Sequence, residues 1–421
     1  MESKHPVTKL LSLVFCLLTT PALAQVEVNV RTEKTSYLAG EPVFIFVDIR
    51  NAGDEAIGYD GGGIQNPLTF VVANGTRKPV KSLSPCGGIG GGAAFGIVDH
   101  PPMLKPGAQT TRRYLLRAYR LTPGSYEVRV TGHADVRWKN YPTLPNGAPA
   151  PPPKHKDGDP VEGAVVNRTV PLVIVAGSQS ELEAAYKPLV AIAMQIYSRE
   201  GSEAAQALFE MAPPFLESEI IKIVRYAGNQ DGIATPAAAA LAEIGTPSSR
   251  RELIAWFDRS RDLAIRASII DAIAKSMNPD NLEFLASILP GRSTEADDWI
   301  RNTAALGIGL IGGPAAVNAL AQAPVSSNPL VNGTIRRALG NTHDRSAVPV
   351  LIDRARLPNG YMDNDVCSAL ASLTHLQWCD GSSDVAATQE RWRRWWSANG
   401  AKATIYGTEN CPKFNELPSI R

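Results

Sequence analysis

The hydrophobic positions of this chain change period once, near residue 178. Before that point apolar residues fall in short runs, several of them alternating with polar neighbours. After it they recur every three to four residues over longer stretches. In the first part Val26, Val28 and Val30 alternate with polar residues. Val43 to Ile49 is a near-continuous apolar and β-branched run, suited to a buried strand. Leu68 to Ala73, Thr110 to Ala118, Tyr126 to Thr131 and Val165 to Val175 extend the set. Turn signals stand at Tyr37-Leu38-Ala39-Gly40-Glu41-Pro42, Asn51-Ala52-Gly53-Asp54 and Leu121-Thr122-Pro123-Gly124-Ser125. Short strands divided by Gly, Pro and Asn predict an antiparallel β-sandwich over residues 25–177.

From residue 178 onward the pattern is helical. Ser180 and Glu183 have the spacing of a capping box, in which the serine bonds a free amide of the first turn and the glutamate reaches back. Helices are expected over Glu181 to Tyr197, Glu203 to Met211 and Phe215 to Tyr226. Between Thr235 and Arg356 one phrase then recurs: a helical run, a small turn, a second helical run. The copies are Ala237 to Ile244 with Arg250 to Phe257, Leu263 to Met277 with Leu282 to Leu289, Trp299 to Ile311 with Ala315 to Leu320, and Leu330 to Leu339 with Ala347 to Ala355. The turn prolines 247, 279 and 314 stand 32 and 35 residues apart. Self-similarity at this period predicts stacked helical hairpins. A proline at the first helical position loses nothing, because that amide has no partner inside the helix. The fourth copy lacks a turn proline, carries His343-Asp344 and has Pro349 inside its second helix. Glycines 307, 309, 312 and 313 are expected to weaken the third. A final helix is expected over Thr388 to Ala398. It puts Trp392, Trp395 and Trp396 on one face, where they would cap the open end of the array.

Two family resemblances attach to these residues. The order Tyr-Leu-Ala-Gly-Glu-Pro-Val, then Asn-x-Gly, then Leu-x-Pro-Gly-x-Tyr-x-Val-x-Val resembles immunoglobulin-like modules of exported bacterial proteins. That implies a fold and little about function. Arg301 to Gly309, and Ala237 to Ile244 before Gly245, resemble HEAT repeats of the short bacterial type, also seen in phycobilisome lyases. Arg266 and Arg301 match the arginine typical of the first helix, and Asn332 takes that place in the fourth copy. Leu373 to Gly400 resembles the closing segment of exported bacterial HEAT-repeat proteins. The resemblance implies an all-α HEAT-type solenoid over 178–400, clearest at 235–356, with 401–421 as a C-terminal tail. It implies binding or scaffolding, and lyase activity does not carry over from the repeat alone.

The first 24 residues read as a secretory signal peptide. Lys4 and Lys9 give the positive flank, Leu10 to Leu18 a short apolar run, and Ala22-Leu23-Ala24 a small-x-small cleavage site. An exported protein, periplasmic or secreted, is expected. No later stretch has membrane-spanning length. Of five cysteines, Cys86, Cys367, Cys379 and Cys411 would remain. Cys379 with Cys411 would clip the tail, and Cys367 with either is the alternative.

Net charge is +1 with 20% charged residues, so no strong field favours nucleic acid. Cys86 to Gly96 is glycine-rich but lacks the context of a phosphate loop. Tyr141 to Pro160 is a proline-rich loop. His133 and Asp135 fall on one strand face without a third ligand. Asp157-Gly158-Asp159 lacks the calcium-loop pattern. Glu295, Asp297 and Asp298 sit at a helix start, where acids are favoured electrostatically. No nucleophile–base set, cofactor or metal site is expected. The first expectation is a non-catalytic scaffold that binds a protein partner along the repeats, on a face carrying Arg250, Arg251 and Arg354. The alternatives are an inhibitor or glycan-binding module using the sandwich loops, and an enzyme with a site between the two parts, near His133 or His375.

Overall fold

A computed structural model describes residues 26–59, 68–74, 103–116, 121–134, 136–138, 156, 161, 164–228, 232–291, 295–355, 363–376, 378 and 384–406. The leader, the glycine-rich run at 86–96 and Cys86, Cys379 and Cys411 lie outside these residues, as does all but Lys156 of the proline-rich loop. An N-terminal β-rich part precedes a C-terminal all-α part, with nine strands and thirteen helices among the described residues. No helix there is long and apolar enough to cross a membrane.

The strands are β1 (Val26–Thr32), β2 (Ser36–Leu38), β3 (Phe44–Asn51), β4 (Ile57–Tyr59), β5 (Leu68–Asn74), β6 (Gln109–Leu115), β7 (Gly124–His133), β8 (Val136–Trp138) and β9 (Val165–Val175). One sheet has the order β1-β3-β6, a second β2-β9-β7-β5, and β4 pairs with β8. Inward residues of both larger sheets share one apolar core, with Ile45, Val47, Val72, Val128, Val130 and Leu172 fully buried. In β9, Val170, Leu172 and Ile174 face in while Val165, Val173 and Val175 face out, the period of two that a half-buried strand requires. β3 is buried more continuously because it is flanked on both sides. Its Asp48 accepts from Thr111 (2.7 Å) and Arg31 (2.9 Å). Burial pushes this carboxyl up, but those bonds outweigh it and hold Asp48 below the ordinary carboxylate range.

The β part is not wholly antiparallel, as the alternation suggested. β2 runs parallel to β9 at the edge of the second sheet. The expected turn at 37–42 begins with this short strand. Its Tyr37 is buried, Gly40 takes the left-handed conformation, and the Glu41 carboxylate accepts from the Leu38 amide (2.9 Å).

The helices are α1 (Gln179–Ala193), α2 (Arg199–Met211), α3 (Glu217–Ala227), α4 (Ala234–Ile244), α5 (Pro247–Arg259), α6 (Leu263–Lys275), α7 (Leu282–Ile288), α8 (Glu295–Ile311), α9 (Gly313–Gln322), α10 (Pro329–Asn341), α11 (Ala347–Asp353), α12 (Asn364–Thr374) and α13 (Val385–Asn399). The capping box of α1 lies two residues earlier than expected, on Ser178 and Glu181, so the helix starts at Gln179. The β part abuts it. Fully buried Tyr186 donates its hydroxyl to the Gly40 carbonyl (2.9 Å), and Arg113 pairs with Glu203 (2.8 Å).

Alternate helices form a row: α2 packs on α4, α4 on α6, α6 on α8, α8 on α10 and α10 on α12. The intervening helices lie along the other side, α3 on α5, α7 on α9, α9 on α11 and α11 on α13, with Phe257 of α5 and Phe284 of α7 in edge contact at 5.5 Å. The turns have the expected chemistry. Thr246 and Asn278 cap the segments opened by Pro247 and Pro279, whereas Pro314 follows a glycine cap, Gly312; Asn328 caps α10 ahead of Pro329 in the same way. Pro349 falls in the first turn of α11, where its missing amide is harmless.

Glycines 307 and 309 lie inside an unbroken α8, at the points where its neighbours approach. A Cβ at 307 would stand 2.5 Å from the Ala274 Cβ on α6, and one at 309 would stand 2.6 Å from the Ala338 carbonyl oxygen on α10. Gly340 meets Ala369 of α12 in the same way, at 2.7 Å. Replacing Gly307 with Val forces α6 and α8 apart and should cost about 1–3 kcal/mol. Ala239→Leu on the exposed side of α4 should stay within about 0.5 kcal/mol. Thermal or urea unfolding of the two variants checks this, and an unchanged midpoint for Gly307→Val would contradict the close approach.

Candidate functional site: an exposed apolar stripe and a cationic cleft

The arginines of the expected face are spread along the second row of helices, and one of them is engaged within the fold. Arg250 and Arg251 belong to α5, which packs on α3, α4 and α6, whereas Arg354 follows α11, which packs on α9, α10, α12 and α13. Arg354 is half-buried and donates to the carbonyls of Ala321 (2.5 Å) and Leu320 (3.5 Å) at the end of α9. It closes a helix C-terminus, where a cation is favoured and terminal carbonyls lack partners. Arg250 is also partly buried, while Arg251 is exposed.

The other singled-out residues are placed as follows. Trp392 is buried in the helical core, with Trp378, Trp395 and Trp396 packed against it. The rings of Trp378 and Trp392 lie 4.9 Å apart, and those of Trp392 and Trp395 5.8 Å. The segment after α13 is held as far as Tyr406. Arg345 donates to the carbonyls of Ala401 and Ala403, and the Tyr406 ring stacks on His375 at 3.5 Å. Cys367 on α12 is disulfide-bonded, and its partner lies outside the described residues. His133 is exposed at the end of β7, and Asp135, Asp157 and Asp159 fall outside the described residues. Asp298 lies in the opening turn of α8, as expected, and is buried in a network. Arg301 donates to it at 3.2 Å, Asn328 at 2.9 Å, and Arg301 also reaches Ser326 and the Leu289 carbonyl. No group of three His, Cys, Asp or Glu among the described residues has metal-binding geometry.

Two features remain, neither foreseen as a site. The first is on α8. Trp299, Leu306 and Leu310 are 52, 39 and 46% exposed. Spacings of seven and four residues put them on one outward stripe. Their helix already buries Ile300, Ala304, Ala305 and Ile308 on its inner side. At the start of α10, Leu330 is also exposed. Its cap Asn328 is bonded to Asp298, so the two helix starts lie side by side. The sequence did carry a signal, since a helix apolar all round must be covered on more than one side.

The second is a small cleft of about 170 Å³, open to solvent and lined by Tyr197, Val224, Arg225, Tyr226, Ala227, Gly228, Trp256 and Arg259. Its charge centre is Glu252, only 3% exposed. Arg225 donates to Oε2 (Nε, 2.8 Å; Nη2, 2.7 Å) and Arg259 to Oε1 (2.7 Å). Burial pushes the Glu252 carboxyl up, and the bonds from both arginines overcome this and hold it below its ordinary value of 4.5. Sequence reading missed the trio because its members stand 27 and 7 residues apart on two helices.

No protein-family model matches the chain, and no curated protein matches it. Among solved structures, human deoxyhypusine hydroxylase in complex with glycerol aligns at 12% identity over 52% of this chain and all of that one, with a TM-score of 0.26. The native conformation of E. coli alpha-2-macroglobulin aligns at 12% identity over 88% of this chain and 26% of that one, with a TM-score of 0.17. Likeness at this level carries no argument about this protein.

The Glu252 trio should make part of the stability acid-labile. The folded-state pKa is depressed, so the contribution is complete above about 4.5 and is lost as pH falls through the lower folded value. Glu252→Gln should cost about 1 kcal/mol at neutral pH, since the two cations left behind are largely solvated. The gap to the parent should narrow as the pH falls below about 4.5. Denaturant unfolding at several pH values checks the sign.

Proposed function

We propose that this protein is a non-catalytic, exported binding scaffold. In this reading the β part is an immunoglobulin-like sandwich and the α part a HEAT-type solenoid. The solenoid holds a protein partner on the outward side of the row α4, α6, α8, α10 and α12. The observation that carries the reading is the α8 stripe. Three large apolar side chains stand in water on a helix whose flanks are locked by backbone contacts with α6 and α10. Contiguous exposed apolar surface of this kind marks interaction sites. A tryptophan at one end of the stripe is the residue type that most often anchors an interface. The repeating turns give further support, because an array of hairpins presents a continuous face with no single catalytic centre.

The arginine face expected from sequence is not part of the proposal, since Arg354 is engaged in holding α9. The partner surface is instead apolar, with Thr303 beside it, whose hydroxyl donates to the Trp299 carbonyl (3.1 Å).

Leu306→Asp with Leu310→Asp tests the reading. Both residues are exposed, so the purified double variant should unfold at the parent's midpoint. Affinity capture of the tagged chain from the native host's envelope should then lose the polypeptide that the parent retains. Deleting residues 142–160 should leave that polypeptide bound. Loss with the loop deletion and retention with the double variant would contradict the proposal and transfer the binding to the loops of the β part.

A further inference from the structure

We infer that the cleft between the start of α2, α3 and α5 is a binding site for a carboxylate carried on an apolar or aromatic body. The cleft is distinct from the α8 stripe, and the inference does not depend on that surface binding a protein.

Charge comes first. Two guanidiniums face one carboxylate, which leaves one positive charge uncompensated inside the trio. Glu252 is buried and takes one side of each guanidinium, so it fixes both planes while they remain substantially exposed, 66% for Arg225 and 43% for Arg259. Arg225 keeps Nη1, and Arg259 keeps Nε and Nη1, without a partner among the described residues. A planar cation held with unused N–H groups is pre-organised for a second carboxylate, because bidentate guanidinium–carboxylate pairs need a fixed fork and lose less entropy when it is already fixed.

The walls select the rest of the ligand. Tyr197 and Tyr226 are 70 and 60% exposed, which is high for tyrosines, and their rings meet edge to face at 5.5 Å and 80°. A pair arranged in this way keeps ring surface open for an apolar or aromatic group. The floor is Trp256, almost fully buried, whose indole Nε1–H has no acceptor among the described residues. Donors buried in this way are normally paired. Gly228 keeps the floor low, because a Cβ there would come within 2.8 Å of the indole Cζ2. The trio alone would tie α3 to α5, but that role does not account for the two solvent-facing tyrosines or the unused donors.

The test uses the full chain labelled with ¹⁵N, and it follows the Trp256 indole and the arginine Nε resonances. Trp256 is assigned by its loss in Trp256→Phe. The probes are N-acetylphenylalanine, its primary amide, and acetyl-Gly-Gly-Phe with a free carboxylate. The acid should shift these resonances in a saturable way with a Kd near about 1 mM, and the amide should bind at least about tenfold more weakly. Tyr197→Ala with Tyr226→Ala should raise the Kd about fivefold or more. Arg259→Lys, which keeps the charge and loses the fork, should weaken the acid and not the amide. A tripeptide that binds tighter than the single residue assigns the site to a chain terminus, and equal binding assigns it to a small aromatic acid. Equal shifts from acid and amide, or no saturable shift at concentrations well above that Kd, would overturn the inference.

Discussion

The helical part depends on backbone-close packing between neighbouring helices of one row. Gly307 and Gly309 lie back to back on α8, one against Ala274 and the other against the Ala338 backbone, and Gly340 repeats the arrangement against Ala369. No side chain fits in these gaps, so the helices cannot rotate to bury a different face without opening them. That constraint leaves Trp299, Leu306 and Leu310 in solvent. With one side of α8 in the core and two in contact with α6 and α10, the fourth side points outward and happens to be apolar. The binding reading is therefore a consequence of packing and not only of surface composition.

The polar groups of the α part serve mainly to end and join helices. Glu217 of α3 accepts from the Ser249 amide and hydroxyl (2.8 and 2.7 Å) and from the Thr246 hydroxyl, which ties one hairpin to the cap of the next. Arg301, nearly inaccessible, joins Asp298, Ser326 and the end of α7. Arg354 closes α9. Such bonds are costly to leave half-made in a dry setting, so they fix register more than they add stability. They also explain why Arg354, picked as a surface residue, turned out to be structural. A cation near a helix end is often committed to that end.

Much of the architecture was legible in the residues, for identifiable reasons. The change of period near residue 178 separates the β part from the α part, because side chains alternate in strands and recur every three to four residues in helices. Prolines 247, 279 and 314 stand in the opening turns of their segments, where expected. What escaped depended on partners far away in sequence. The parallel edge strand at Ser36–Leu38 has three residues and is defined by β9, more than 130 positions later. Helix α12 has no turn proline to announce it, and its start is defined by Asp363, which caps the Asp365 and Val366 amides. Glycines in a helix look like weaknesses until the neighbour that fills their space is known. The Arg225–Glu252–Arg259 trio and the Tyr197–Tyr226 pair are likewise assembled only by helix packing.

The most direct test of the central claim compares the accessibility of position 306 in isolation and in the cell. Leu306→Cys should react readily with a maleimide in the purified protein, read by mass spectrometry on the peptide that carries it. It should be strongly protected in the intact native host. Asn318→Cys, exposed on α9 in the other row, should react equally in both settings. Equal labelling of position 306 inside and outside the host would contradict the claim that this face is covered by a partner.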